Sequence, residues 1–173
     1  MPDEVRIAPA EVRDAPVILS MIKELAEYER LAHEVVATED SVCESLFGAK
    51  LHAEAVIARA VSGRSGVAEK ADGNEAVGFA AWFYSYSTFL SKPGLYLEDL
   101  FVRPAWRGRG IGRALLRHLA RIAIERGCGR MEWSVLDWND PAIGFYRGIG
   151  AQPMDQWTVY RLTGDALDRL AKA

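Results

Sequence analysis

The order of apolar patterns along the chain predicts an α/β fold, a mixed central sheet with helices on both faces. Three observations carry this. Short apolar runs alternate with segments whose apolar residues recur every three or four positions, in the order β-α-α-β-β-β-α-β-α-β. One such run, Leu95-Tyr96-Leu97-Glu98-Asp99-Leu100-Phe101-Val102, feeds a glycine-rich turn, Arg107-Gly108-Arg109-Gly110-Ile111-Gly112, that opens a long amphipathic helix. With 173 residues, half of them apolar, the chain has material for one domain over residues 1–173 with an ample core.

Taken in order, residues 5–9 read as the first strand. Asp14 stands where it can cap a helix, Pro16 falls in the first turn, and Val17, Met21, Leu25 and Tyr28 recur at helical spacing to about Leu31. Thr38 caps a second, shorter helix that stops at Gly48. Residues 55–61 are strand-like, and residues 62–74, rich in Gly, Ser and charge, read as a mobile hairpin connection. Two long strands follow at 76–86 and 95–102, with a turn at Ser91-Lys92-Pro93-Gly94. The helix after the glycine turn runs to about Arg126, with Gly127 as its C-cap. Residues 130–136 read as a strand, 139–147 as a helix, and 158–162 as a final strand before a short helix.

Composition excludes several classes. No run approaches the roughly 18 apolar residues a membrane helix needs. The first residues, Met1-Pro2-Asp3-Glu4, lack the basic-then-apolar order of a secretory leader. Cys43 and Cys128 are isolated, and His33, His52 and His118 are scattered, so neither a disulfide framework nor a metal site is expected. These features fit a cytoplasmic protein. The net charge of −3 conceals an asymmetry: residues 1–60 hold 12 acids against 6 Lys or Arg, while residues 103–130 hold 8 Arg and one acid, Glu125. An arginine-dense segment around a glycine turn suits a ligand with several phosphates. Nucleic acid is a poorer fit, because the basic stretch is short, without interleaved aromatics, and set in an acidic chain. The set Arg113, Arg117 and Arg121 recurs at helical spacing, which for the latter two reads as a solvated face.

A strand, a glycine turn and a helix start together form a phosphate cradle. The first helical N–H groups have no intrahelical acceptor, and the helix dipole is positive there. A P-loop would need Lys-Ser/Thr after the last glycine, where Arg113-Ala114 stands. A dinucleotide fingerprint would need glycine at the position Arg113 occupies.

What fits is Arg/Gln-x-x-Gly-x-Gly/Ala, here Arg107-x-x-Gly110-x-Gly112, and this resembles the coenzyme-A pyrophosphate motif of the GCN5-related N-acetyltransferases, the GNAT family. The stretch 97–102, with Trp138-Asn139-Asp140-Pro141-Ala142-Ile143-Gly144-Phe145-Tyr146, resembles the diamine and polyamine (spermidine/spermine, thialysine) acetyltransferase branch. The likeness extends to Ile22-Lys23-Glu24-Leu25-Ala26-Glu27-Tyr28-Glu29 and Val77-Gly78-Phe79-Ala80, hence to nearly the whole chain. It implies the GNAT fold, in which two neighbouring parallel strands splay apart, and acetyl-CoA as the acyl donor with coenzyme A as product. It further implies a homodimer whose two subunits build the acceptor site.

Direct transfer from a bound thioester to an amine gains mainly from proximity and proton management. No Ser/His/Asp set or activated Cys suggests a covalent acyl-enzyme instead. The resemblance makes Tyr146 the general acid toward the departing sulfur. Glu98 is the candidate base, acting through water; it and Asp99 interrupt an apolar strand, which suggests a polar cavity. In a regular strand only one of the two would face it, and a bulge relaxes that rule. For the cofactor the resemblance implicates the backbone of Leu100, Phe101 and Val102, the turn Arg107, Gly108, Arg109, Gly110, Ile111, Gly112 and Arg113, and Asn139, Pro141, Ala142 and Tyr146. For the amine it points to Tyr28, Glu29, Glu98, Asp99, Glu132, Trp133 and Ser134, a carboxylate-lined slot with aromatic walls. Polyamine members tend to carry an acid in the loop after the third strand; here that loop reads Ser85-Tyr86-Ser87-Thr88-Phe89, which leaves thialysine-like amino acids and other amines open. Two alternatives stand beside this: acetylation of a protein or peptide amine, and a catalytically silent acyl-CoA sensor.

Overall fold

The computed structural model describes residues 4–61 and 75–173. The hairpin connection expected at 62–74 lies outside the described residues. The chain divides into two compact units, Met1–Ser134 and Val135–Ala173.

The first unit is a five-stranded sheet of β1 (Glu4–Pro9), β2 (Glu54–Val61), β3 (Ala76–Ser87), β4 (Lys92–Val102) and β5 (Arg130–Trp133), side by side in that order. Neighbours are antiparallel except β4 and β5, which run parallel, as a mixed sheet requires. Helices α1 (Ala15–Tyr28) and α2 (Glu39–Phe47) cover one face, where Ile18, Leu19, Met21 and Val42 pack with Ile57, Phe79 and Phe101. Helix α3 (Ile111–Glu125) buries Ile111, Leu115, Leu116 and Leu119. Its Gly112 lies beside Leu100, and Leu100 points away from the face that holds Phe101, so α3 covers the opposite side.

Local chemistry explains most boundaries. Thr38 caps α2 by accepting the Ser41 N–H, with Ser41 reciprocating, and Gly48 ends it. Asp14 stands at the N-cap of α1 without capping it. Its buried carboxylate instead takes the Glu11 N–H at 2.9 Å and the Arg59 guanidinium from β2. A charged donor holds a buried carboxylate better than helix amides alone. Arg103, just past β4, forks onto Glu24 of α1 (2.9 and 3.2 Å) and donates to the Ala76 carbonyl. That clamp ties α1 to the sheet beside the phosphate turn.

Two expectations are displaced. The β3–β4 turn falls at residues 88–91, with Ser91 left-handed (φ 50°), and Lys92-Pro93-Gly94 already belongs to β4. Pro93 lacks an N–H but still accepts from Gly129 through its carbonyl, so a proline at this strand end costs little. Strand β5 stops at Trp133 rather than 136, because its pairing with β4 covers only Gly94 to Leu97.

The second unit contains α4 (Asp140–Gly148) and α5 (Gly164–Lys172). The strand expected at 158–162 does not form: those residues pair in no ladder, and Val159 and Tyr160 are exposed. Alternating apolar residues make a strand only where another strand supplies hydrogen bonds. Among the described residues no helix is long and apolar enough to cross a membrane.

Candidate active site

Strand β4 carries a bulge at Glu98. Asp99 pairs with Ala81, but the next β3 residue, Trp82, pairs with Leu97, which leaves Glu98 as the extra residue. Cross-strand partners share a face, so Asp99 and Phe101, opposite Ala81 and Phe79, face α1. Leu95 and Leu97 lie on the other face with Leu100 and Val102. Without the bulge Leu97 would share a face with Asp99, and one of the two would be misplaced. Beyond Leu97, among the described residues, no strand pairs with β4 on its β5 side. The parallel pair therefore opens at the Glu98-Asp99 step.

Three carboxylates gather near this opening. Burial, then Glu98 and Glu29, push the Asp99 carboxyl up to about 6. Burial also raises the pKa of Glu29, the C-cap of α1. Helix α1 stops there because Arg30 is left-handed (φ 63°) and the Leu31 N–H returns to the Ala26 carbonyl. Glu29 is thereby set at the helix end rather than along its flank.

The Asp99 shift has a consequence for stability. Its folded-state pKa lies above the unfolded value, so the folded chain holds this proton more tightly and stability falls as pH rises from about 4 through about 6. In urea titrations, raising pH from 4.5 to 7.5 should favour Asp99→Asn over the native chain by about 2 kcal/mol. Parallel pH profiles for the two chains would show that Asp99 titrates ordinarily.

At the turn, Gly108 (φ 75°) and Gly110 (φ 81°) are left-handed. A Cβ at either would meet nothing within 4 Å, so backbone conformation rather than space demands glycine. Gly110 is the N-cap of α3 and offers no side-chain cap, which leaves the first-turn amides, such as those of Ile111 and Gly112, to a ligand. The Arg107 guanidinium lies over the Tyr28 ring (4.5 Å to the centroid) and near Phe101 (5.6 Å), while its Nε donates to the Val102 carbonyl at 2.9 Å. Arg109 stacks on Trp106 at 4.7 Å, and Arg113, Arg117 and Arg121 are exposed along α3. The residues present fit a pyrophosphate.

On β5, Glu132 pairs with Arg130 at 2.8 Å, so its carboxylate already has a cationic partner. The Ser134 hydroxyl bonds that of Tyr96 at 2.7 Å, and Tyr96 packs on Phe83. Trp133 is half-buried. Sequence reasoning missed Tyr96, Arg130 and Trp106. Each holds a residue that it did single out, and only adjacency in sequence or across the β4–β5 register could have signalled them.

In the second unit Asn139 is buried and caps α4, accepting the Ala142 N–H at 3.4 Å, with Pro141 in the first turn. Tyr146 lies half-buried on α4 with its ring 5.5 Å from that of Phe145.

An uncapped helix after a glycine turn, at an opened parallel strand pair, defines an α/β protein with a cradle for a phosphate-bearing ligand. The pattern of the acetyltransferase (GNAT) family matches residues 25–151, and the chain belongs to that family of N-acetyltransferases. It is 34% identical over 170 residues to thialysine N-epsilon-acetyltransferase of Bos taurus, covering 96% of this chain and 97% of that one. It is also 34% identical over 200 residues to L-ornithine N5-acetyltransferase of Arabidopsis thaliana, covering 96% and 88%. Among solved structures, an integron cassette protein from the mobile metagenome of V. cholerae superposes with a TM-score of 0.77 at 27% identity, over 100% of this chain and 99% of that one. The family resemblance and the α/β GNAT fold expected from the sequence are borne out.

Proposed function

We propose that the chain transfers acetyl from acetyl-CoA to the primary amine of a small cationic acceptor, a diamine, polyamine or thialysine-like amino acid. The grouping of Glu29, Glu98 and Asp99 carries the reading. Carboxylates that are costly to ionise together gain most from a cation among them. Relatives named for N-epsilon and N5 acetylation favour a side-chain amine of a small amino acid within that class.

The backbone of Leu100, Phe101 and Val102, the main chain from Arg107 to Arg113, and Asn139, Pro141, Ala142 and Tyr146 would hold the donor. When bound, acetyl-CoA supplies an acetyl group activated as a thioester. With the donor bound, Glu98 would take the acceptor's ammonium proton through water, and the nitrogen would shed its second proton to solvent as the C–N bond formed and the C–S bond broke. Tyr146 would give its hydroxyl proton to the departing sulfur and recover one from solvent. Tyr28 walls the acceptor, with Asp99, Glu132, Trp133 and Ser134 as further lining. The working unit is one domain over residues 1–173, paired as a homodimer in the cytoplasm.

The test is thiol release from acetyl-CoA with spermidine, putrescine, lysine, thialysine, ornithine and a basic peptide. We expect a small diamino acid or diamine to turn over at least about tenfold better, by kcat/KM, than the peptide. Preference for the peptide would move the acceptor to proteins. Coenzyme-A binding without turnover of any amine would leave a silent sensor.

A further inference from the structure

Arg107 opens the glycine motif, yet its side chain turns back toward the end of α1. Its Cζ lies over the Tyr28 ring at 4.5 Å and over the Phe101 ring at 5.6 Å, and Nε donates to the Val102 carbonyl. Tyr28 is the last residue of α1 and adjoins Glu29. Phe101 lies two residues after Asp99 on the same face of β4. A single guanidinium therefore touches both segments that carry the acceptor carboxylates, while its main chain belongs to the phosphate turn.

We infer that the Arg107 side chain is a positioning residue for the amine acceptor rather than a ligand of the pyrophosphate. It holds Tyr28 and Glu29 against the Asp99–Phe101 stretch, so acceptor binding depends on the same residue that begins the donor turn. The inference rests on the reading of Glu29, Glu98 and Asp99 as the acceptor site. Planarity and the Nε–H are what this role requires. Lysine would keep the charge but lose both.

Arg107→Lys and Tyr28→Leu separate the two roles. Coenzyme-A Kd is read by calorimetry and amine KM at saturating acetyl-CoA. With Arg107→Lys we expect amine KM to rise about tenfold, from the loss of a stacked cation and one hydrogen bond. Coenzyme-A Kd should stay within about threefold, since the charge near the phosphates is kept. Tyr28→Leu should show the same split, and the rise in amine KM of the double variant should fall short of the product of the two single rises, as for residues coupled through a shared contact. Coenzyme-A affinity falling about tenfold with amine KM unchanged would make Arg107 a phosphate ligand and overturn the inference. Should Arg107→Lys fail to fold, an unchanged amine KM in Tyr28→Leu would overturn it equally. A native chain that turns over no amine would bring down the acceptor reading and this inference together, whereas a failure confined to the variants touches this inference alone.

Discussion

Tyr146→Phe should lower kcat by about 10²–10³-fold while leaving the Kd for coenzyme A within about twofold. The phenol is lost but the ring is kept, so its packing on Phe145 and the fold of α4 survive. Phenols stay protonated through neutral pH, which suits donation to a sulfur that leaves as thiolate. Without a donor the thiolate must leave unprotonated or wait for water, and the deficit belongs to the chemical step. Single-turnover acetyl transfer at saturating acetyl-CoA and amine is the measurement. An unchanged single-turnover rate would remove Tyr146 from the chemistry and leave it a packing residue.

How far this site was legible depends on what kind of signal each residue leaves. Thr38, Gly48, Gly110 and Asn139 act through local backbone geometry, so their neighbours in sequence suffice to place them. The apolar spacing of α1 placed Met21 in the core and Val17 and Leu25 against it, while Tyr28 at its end is exposed. The bulge left only an indirect trace: Glu98-Asp99 broke an apolar run, but which residue was extra depends on the register with β3. Asp14 shows the same limit, since a capping residue was diverted by Arg59, 45 positions away. Long-range partners of this kind leave no periodicity. The segment 158–162 is rich in strand-forming residues, Thr158, Val159 and Tyr160, yet the ladder that would realise it is not a local property.

The charge asymmetry marked where charge gathers but not what each charge meets. Eight arginines in residues 103–130 suggested a phosphate-rich ligand. Several of these side chains are instead engaged within the protein: Arg103 on Glu24, Arg126 on Glu54, Arg130 on Glu132 and Arg107 on Tyr28. Composition counts charges but not their partners. The carboxylates that gather near the opened strand pair come from both sides of that division, Glu29 from the acidic half and Glu98 and Asp99 from outside it, and burial keeps the carboxyl of Asp99 near 6.

Glu98→Gln should reduce kcat/KM for the amine by about 10²–10³-fold at pH 7. An alkylammonium with a pKa near 10 is free amine in only about one part in 10³ at that pH, which bounds what a base can contribute by removing the proton. The deficit should therefore shrink about tenfold for each pH unit from 7 to 9, as the acceptor sheds its own proton. Asp99→Asn makes the complementary test. If the Asp99 carboxylate serves mainly to bind the cation, its loss raises amine KM and removes an inflection near pH 6 from the acid limb, without the alkaline rescue. The two variants thus divide the labour of adjacent carboxylates by the shape of a pH profile. A deficit in Glu98→Gln that stays constant from pH 6 to 9 would mean that Glu98 holds substrate or structure and takes no proton. Alkaline rescue appearing in Asp99→Asn instead would transfer the base to the more buried carboxylate, whose raised pKa brings it closer to the working pH.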